Sequence, residues 1–126
     1  MKARLSTALT LGLGLVIAPV ARPEPPAIVQ QEIKYLIGHV GNSGCEFKRN
    51  GVWNKDSRTA EAHMRSKYDF LARMGLIDTT EDFIEKAATG SSLSGQPYEV
   101  RCGGDLPMQS SLWLSTELAR HRTSQR

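Results

Sequence analysis

His63 and Lys67 stand four residues apart in a stretch whose apolar positions recur at helical spacing, so their side chains leave one helix on the same side, one turn apart. On a helical wheel Ala60, Met64, Tyr68 and Leu71 form the buried stripe, widened on one side by Phe70 and Met74, and His63 and Lys67 fall inside the widened part. An imidazole and an ammonium at a core boundary lose the hydration that favours their charged forms, and each then needs a carboxylate or carbonyl to answer it. Glu46 and Glu99, on two short strands, are the expected partners. Two chemistries suit such a pair. One is an anion site floored by His63 and Lys67, with the Ser91-Ser92-Leu93-Ser94-Gly95 loop supplying hydroxyl and backbone donors. The other is a nucleophilic serine of that loop activated by His63, which needs a nearby acid and has no G-x-S-x-G or S-x-x-K pattern behind it. Against both stands a plain scaffold role, with His63 hydrogen-bonded at a helix edge and the Lys67 stem lying along apolar surface.

The elements that must position these groups are legible in outline. Val29, Ile33, Leu36, Ile37 and Val40 recur at three- and four-residue steps, which predicts a first helix ending at the Gly41-Asn42-Ser43-Gly44 breaker. Asn50-Gly51 between Cys45–Arg49 and Val52-Trp53 is the signal for a tight type I′ hairpin. Asp56 or Ser57 caps the helix that carries His63, and Gly75 closes it. A third helix follows from Asp78-Thr79-Thr80-Glu81, with an acid three residues beyond its cap and Gly90 to stop it. Tyr98 to Cys102 alternates as a half-buried strand, and Ser110 or Ser111 opens a last helix through Leu114 and Leu118. The fold class this predicts is α+β: a small antiparallel sheet, the hairpin plus one later strand, packed by about four helices.

Two cysteines, Cys45 and Cys102, allow one pairing, and in an exported protein an even pair reads as a disulfide. Closing a loop of this length stabilises the fold by about 4 kcal/mol on the chain-entropy model. Export itself is predicted by Lys2 and Arg4 ahead of an uncharged apolar run from Leu5 to Val20, too short for a comfortable membrane span and followed by Pro19-Val20-Ala21 as an imperfect cleavage site. Residues 1–21 therefore read as a signal peptide and 22–27 as a proline-rich leader. Residues 28–122 read as a single domain and 123–126 as a flexible tail. Losing Lys2 and Arg4 leaves fourteen basic residues against thirteen acidic ones, so the mature net charge falls from +3 to about +1. That near-neutral balance argues against nucleic acid as a partner, the basic Arg120, His121, Arg122 and Arg126 being a solvated end. No stable membrane insertion is expected once the signal is removed. His39, His63 and His121 are scattered and form no metal-ligand spacing, and no cofactor is implied. Trp53 and Trp113 read as core or core-edge residues, Trp53 being a possible contact for a partner or glycan if exposed.

Four motifs in order, Phe47-x-Arg49-Asn50-Gly51, Ala62-His63-Met64-x-x-Lys67, Thr80-Glu81-Asp82-Phe83-Ile84 and Ser91-Ser92-x-Ser94-Gly95-x-Pro97-Tyr98, resemble the DUF5329 (YfeK-like) family of small exported bacterial proteins of unknown function. The resemblance covers roughly residues 28–120. It implies export and one domain, transfers no catalytic residue, and draws attention to Arg49, His63, Lys67, Ser92 and Ser94 as matching polar positions.

The reading favoured by these residues is a periplasmic or secreted, non-enzymatic binding or protein-interaction module whose partner is an envelope protein or a small ligand. The ligand-binding candidates are Arg49, His63, Lys67, Ser92 and Ser94. The competing reading is a small envelope hydrolase or transferase using His63 with a serine of the 91–94 loop.

Overall fold

The apolar residues Val29, Ile33, Leu36, Ile37 and Val40 turn one side of helix α1 (Ala27–Asn42) into the centre of the core. The structure, a computed structural model, describes residues 2–18 and 23–126. The expected cleavage stretch Pro19-Val20-Ala21 and Arg22 at the start of the leader lie outside the described residues. Residues 2–18 carry no helix or strand and are exposed throughout, so this part of the apolar run adds nothing to the core. No helix among the described residues is long and apolar enough to cross a membrane.

The end of the leader belongs to the first helix rather than spacing it. Pro26 is the N-cap of α1, Pro25 is buried, and its carbonyl accepts a 2.7 Å hydrogen bond from the Gln30 side chain. Proline suits a helix start because its missing N–H has no intrahelical partner there. Gly41 and Asn42 continue the helix that the Gly-Asn-Ser-Gly breaker was expected to end.

Strands β1 (Glu46–Arg49) and β2 (Val52–Asn54) form the hairpin, and Asn50 and Gly51 take φ of 51° and 78°, the two left-handed residues a type I′ turn requires. Asp56 caps α2 (Ser57–Arg73) by accepting from the Arg58 amide, and Gly75 follows with φ 70°. Thr79 and Asp82 exchange side-chain bonds with each other's backbone in a capping box at the start of α3 (Thr80–Ala87). Strand β3 (Glu99–Arg101) follows the serine loop. A two-residue strand, β4 (Met108–Gln109), then leads directly into α4 (Ser110–Ser124), which runs two residues into the stretch expected as a tail. The sheet is antiparallel throughout, in the order β2-β1-β3-β4, so the predicted α+β architecture holds with one strand more than expected.

Cys45 and Cys102 are bonded, and sit one step beyond the Glu46↔Arg101 pair that ends the β1–β3 ladder. Their Cα atoms are 4.4 Å apart, the spacing of a non-hydrogen-bonded antiparallel pair, so the bond needs no distortion of the strands. On the helical side Glu32, only 7% exposed, ties three helices together. It accepts from Thr80 Oγ1 at 2.6 Å and from Arg122 at 2.7 and 2.9 Å, while Arg122 also reaches Glu81. The Arg122 guanidinium holds the Glu32 carboxyl down at about 2.

Two stability predictions follow from these links. Replacing both cysteines by alanine should cost about 4 kcal/mol, read from the denaturant midpoint; an unchanged midpoint would mean that the β1–β3 pairing stands without its covalent link. For Glu32, the unfolded carboxyl protonates near 4.5 and the folded one near 2, so the stability it contributes is whole above pH 4.5 and drains away as pH falls towards 2. Arg122→Met should cost about 2 kcal/mol at neutral pH, the half-exposed guanidinium keeping the figure below that of a fully buried pair, and should flatten the stability profile across that acid window.

Candidate functional site

Period-two alternation decides which strand residues can meet α2. In β1 Phe47 and Arg49 share the inner face, and in β3 Val100 shares it with Tyr98 just before the strand. The β1–β3 register pairs Phe47 with Val100 and Lys48 with Glu99, so one further step brings Arg49 opposite Tyr98. Helix α2 lies against this face, with Met64 buried and Ala60, Tyr68 and Leu71 packed at the core edge. The widened stripe expected on α2 is narrower in the fold: Phe70 is 55% and Met74 44% exposed. His63 and Lys67 are nonetheless half-buried, on the side facing Tyr98.

One guanidinium nitrogen of Arg49 lies 2.7 Å from His63 Nδ1 and 3.3 Å from Nε2, distances that place it over the imidazole face and not in line with one lone pair. His63 Nε2 is 3.1 Å from the Tyr98 hydroxyl, and Lys67 Nζ donates to that same hydroxyl at 3.2 Å and to the Gly90 carbonyl at 3.2 Å. An ammonium can only donate, so the chain that spends every donor runs from Lys67 to the Tyr98 oxygen, and from the Tyr98 O–H to His63 Nε2. This leaves the proton of the neutral imidazole on Nδ1. Burial, then Arg49, then Lys67 push the His63 pKa from its usual 6.5 down to about 4. Among the described residues none of Arg49, His63 and Lys67 forms an ion pair with a carboxylate.

The acids expected to answer them are on the other side of the sheet. Glu46 pairs with Arg101, and Glu99 with Lys48 at 3.4 Å, because each is adjacent in sequence to an inward-facing residue. Trp53 joins that outer face, half-buried, with the Arg101 guanidinium 4.1 Å and Lys48 Nζ 5.9 Å from its ring centroid.

A cleft of about 50 Å³ opens between α2 and the inner face of the hairpin. Its floor is Phe47, Met64, Tyr98 and Ser110, all buried, and Arg49, Asn54 and Thr59 are exposed at its rim. His63 stands on the wall between the two; Lys67 does not line the cleft and acts on it through Tyr98.

The serine loop contributes less than the sequence suggested. Ser94 Oγ donates to Asn50 Oδ1 at 2.7 Å, fastening the loop to the hairpin turn, and accepts from the Gln96 amide. Ser91 is buried and accepts from the amides of Leu93 and Ser94. Ser92 is exposed and makes no side-chain hydrogen bond among the described residues. None of the three hydrogen-bonds His63, which bonds Tyr98 and lies under the Arg49 guanidinium. The structure therefore brings Arg49, His63 and Lys67 together around Tyr98 and leaves Ser92 and Ser94 aside. Tyr98, Ser110, Asn54 and Thr59 were not singled out by sequence reasoning; strand alternation could have found Tyr98, whereas Ser110 reaches the cleft only through the β3–β4 connection.

The arrangement defines a small disulfide-linked α+β fold with a cleft whose Arg49 and His63 have no carboxylate partner among the described residues. A family model described as a family of unknown function, DUF5329, matches residues 27–122, and the chain belongs to that family. Neither a curated protein nor a solved structure matches the chain.

The His63 environment is testable on its own. Its ring resonances should titrate with a midpoint of about 4, and Arg49→Gln should move that midpoint upwards. Unfolded His63 protonates near 6.5 and folded His63 near 4, so stability falls as pH drops through that window; His63→Gln should remove this part of the slope. A midpoint at the ordinary histidine value would mean that the ring is neither buried nor covered by Arg49 in solution.

Proposed function

We propose that the protein is an exported, periplasmic or secreted binding module, not an enzyme, and that it takes a small anion at the Arg49–His63 rim of the cleft. Residues 1–21 are its removable signal and 28–122 its folded domain. The observation that carries this reading is the meeting of Arg49 and His63 at the cleft, with Lys67 behind Tyr98 and no carboxylate paired with any of the three among the described residues, while the opposite face of the same sheet pairs its charges. Like charges held together raise one another's free energy, and a bound anion relieves that cost. The planar guanidinium of Arg49 suits a carboxylate or phosphate, and His63 Nδ1–H supplies a further donor. Export is supported by the Cys45–Cys102 disulfide and by the charged start and exposed apolar run of residues 2–18. The hydrolase reading lacks the contact it requires, a serine hydroxyl within reach of His63.

The test is to add acetate or inorganic phosphate to the oxidised protein and follow the His63 ring resonances across pH. A bound anion favours the imidazolium, so the midpoint should rise from about 4 in a saturable manner. Arg49→Gln should weaken binding about ten-fold or more, the loss of one charge-assisted contact. No saturable response to either anion would sink the proposal.

A further inference from the structure

The same cleft carries a second, independent feature. Ser110 is 2% exposed, its Oγ has no hydrogen-bond partner among the described residues, and it forms part of the cleft floor. A serine at a helix start ordinarily spends its hydroxyl on a cap, and one inside a helix on the carbonyl one turn back. In α4 Thr116 and Thr123 do the latter, bonding Leu112 O at 2.9 Å and Ala119 O at 3.0 Å. Ser110 does neither. Its amide is committed to the Tyr98 carbonyl at 2.9 Å, the N-cap residue Gln109 makes no side-chain cap, and the buried hydroxyl is left without a partner in a residue that lines the cleft. An unmet buried hydroxyl is costly, and a ligand group that can both donate and accept recovers that cost.

The surroundings define what such a group can be. The cleft of about 50 Å³ is small, with room for a few water-sized groups, so its floor suits a slim chain end. Phe47, Met64 and the Tyr98 ring make that floor apolar, so a second charge there would be desolvated without an opposite partner. The rim, by contrast, carries the exposed Arg49 guanidinium. We infer that the ligand is a short-chain carboxylate whose far end carries a hydroxyl or carbonyl group, with the carboxylate on Arg49 at the rim and the uncharged polar tip on Ser110 at the floor. Ser110 is then the residue that sets specificity. This rests on the anion-binding reading above and extends it from a charge to a class of molecule.

Three acids that share a carboxylate head and a four-carbon chain separate the possibilities: butyrate with an apolar end, 4-hydroxybutyrate with a hydroxyl end, and succinate with a second charge. Calorimetric titration of the oxidised, exported protein should place 4-hydroxybutyrate about ten-fold tighter than butyrate, with succinate weakest. Ser110→Ala should erase the difference between the first two by weakening 4-hydroxybutyrate alone. The wild-type ranking decides the matter by itself, whatever the variant's yield of folded protein. Equal affinity for butyrate and 4-hydroxybutyrate in the wild type would overturn the inference while leaving the anion site standing, and would assign Ser110 a solvent partner. Binding of acetate with none of the four-carbon acids would also overturn it, because the floor would then admit no tail. Failure of all three acids together with acetate and phosphate would remove the anion site and this inference with it.

Discussion

The pairing of β1 with β3 is the constraint on which the rest of the structure depends. The two strands hold three residue pairs between segments more than fifty residues apart, and their neighbours β2 and β4 are only three and two residues long. Strands of this length do not stand alone in water, and bringing them together over so long a loop is entropically expensive. The Cys45–Cys102 bond at the end of the ladder removes most of that cost from the unfolded side. It also fixes the register, and register is what the cleft needs. With Phe47 opposite Val100, the next inward-facing positions are Arg49 and Tyr98; a slip of one residue would put Arg49 on the same face as the acid Glu99.

Given that sheet, α2 has little choice of place. Ser57 Oγ donates to the Gly41 carbonyl at 2.9 Å, anchoring the start of α2 to the end of α1, and Met64 enters the core one turn before Tyr68 meets Phe83 edge-on. His63 and Lys67 are then carried to the Tyr98 hydroxyl by helix geometry alone. The cluster has a cost at every level: a cation over an imidazole, a second cation one turn on, and partial burial, which together keep His63 neutral. Folding alone does not require this, since a glutamate at any of several rim positions would neutralise it. The outer face shows the same chain settling such charges with Glu46, Glu99 and the Trp53 ring.

Much of this was legible in the sequence, and the failures have physical causes. Caps, the hairpin turn and the apolar stripe of α1 rest on local rules, and Asp56, Asn50-Gly51 and Thr79 stand where those rules place them, while Ser110 opens α4 without capping it. The reach of α1 back to Pro26 and on through Asn42 was lost because proline and glycine read as breakers until the packing around them is known. β4 has two residues and no periodicity of its own, so it exists only because β3 offers it an edge. Glu46 and Glu99 were expected as partners because they lie on the two strands, although alternation relative to Phe47 and Tyr98 already set them outside. The orphan hydroxyl of Ser110 had no signal at all, being defined by what three other elements fail to offer it.

The four motif segments of the family resemblance divide unequally in space. Thr80–Ile84 builds the capped start of α3, sending Phe83 and Ile84 into the core and Thr80 to Glu32, which is structural work. The other three converge: Arg49 and Asn50 from the hairpin, His63 and Lys67 from α2, Ser94 and Tyr98 from the loop and its strand, joined by the Arg49–His63, His63–Tyr98, Lys67–Tyr98 and Ser94–Asn50 contacts. Within this network each polar group is committed in a direction that suits holding a ligand more than turning one over. A general base must face its nucleophile with a lone pair free, yet His63 Nε2 is spent on Tyr98 and its protonation is opposed by two cations. Ser91 and Ser94 are spent on their own turn and on Asn50, and Ser92 lies outside the network. What remains unspent is positive charge at the rim and one hydroxyl at the floor, and those are the requirements of an uncharged-tipped anion.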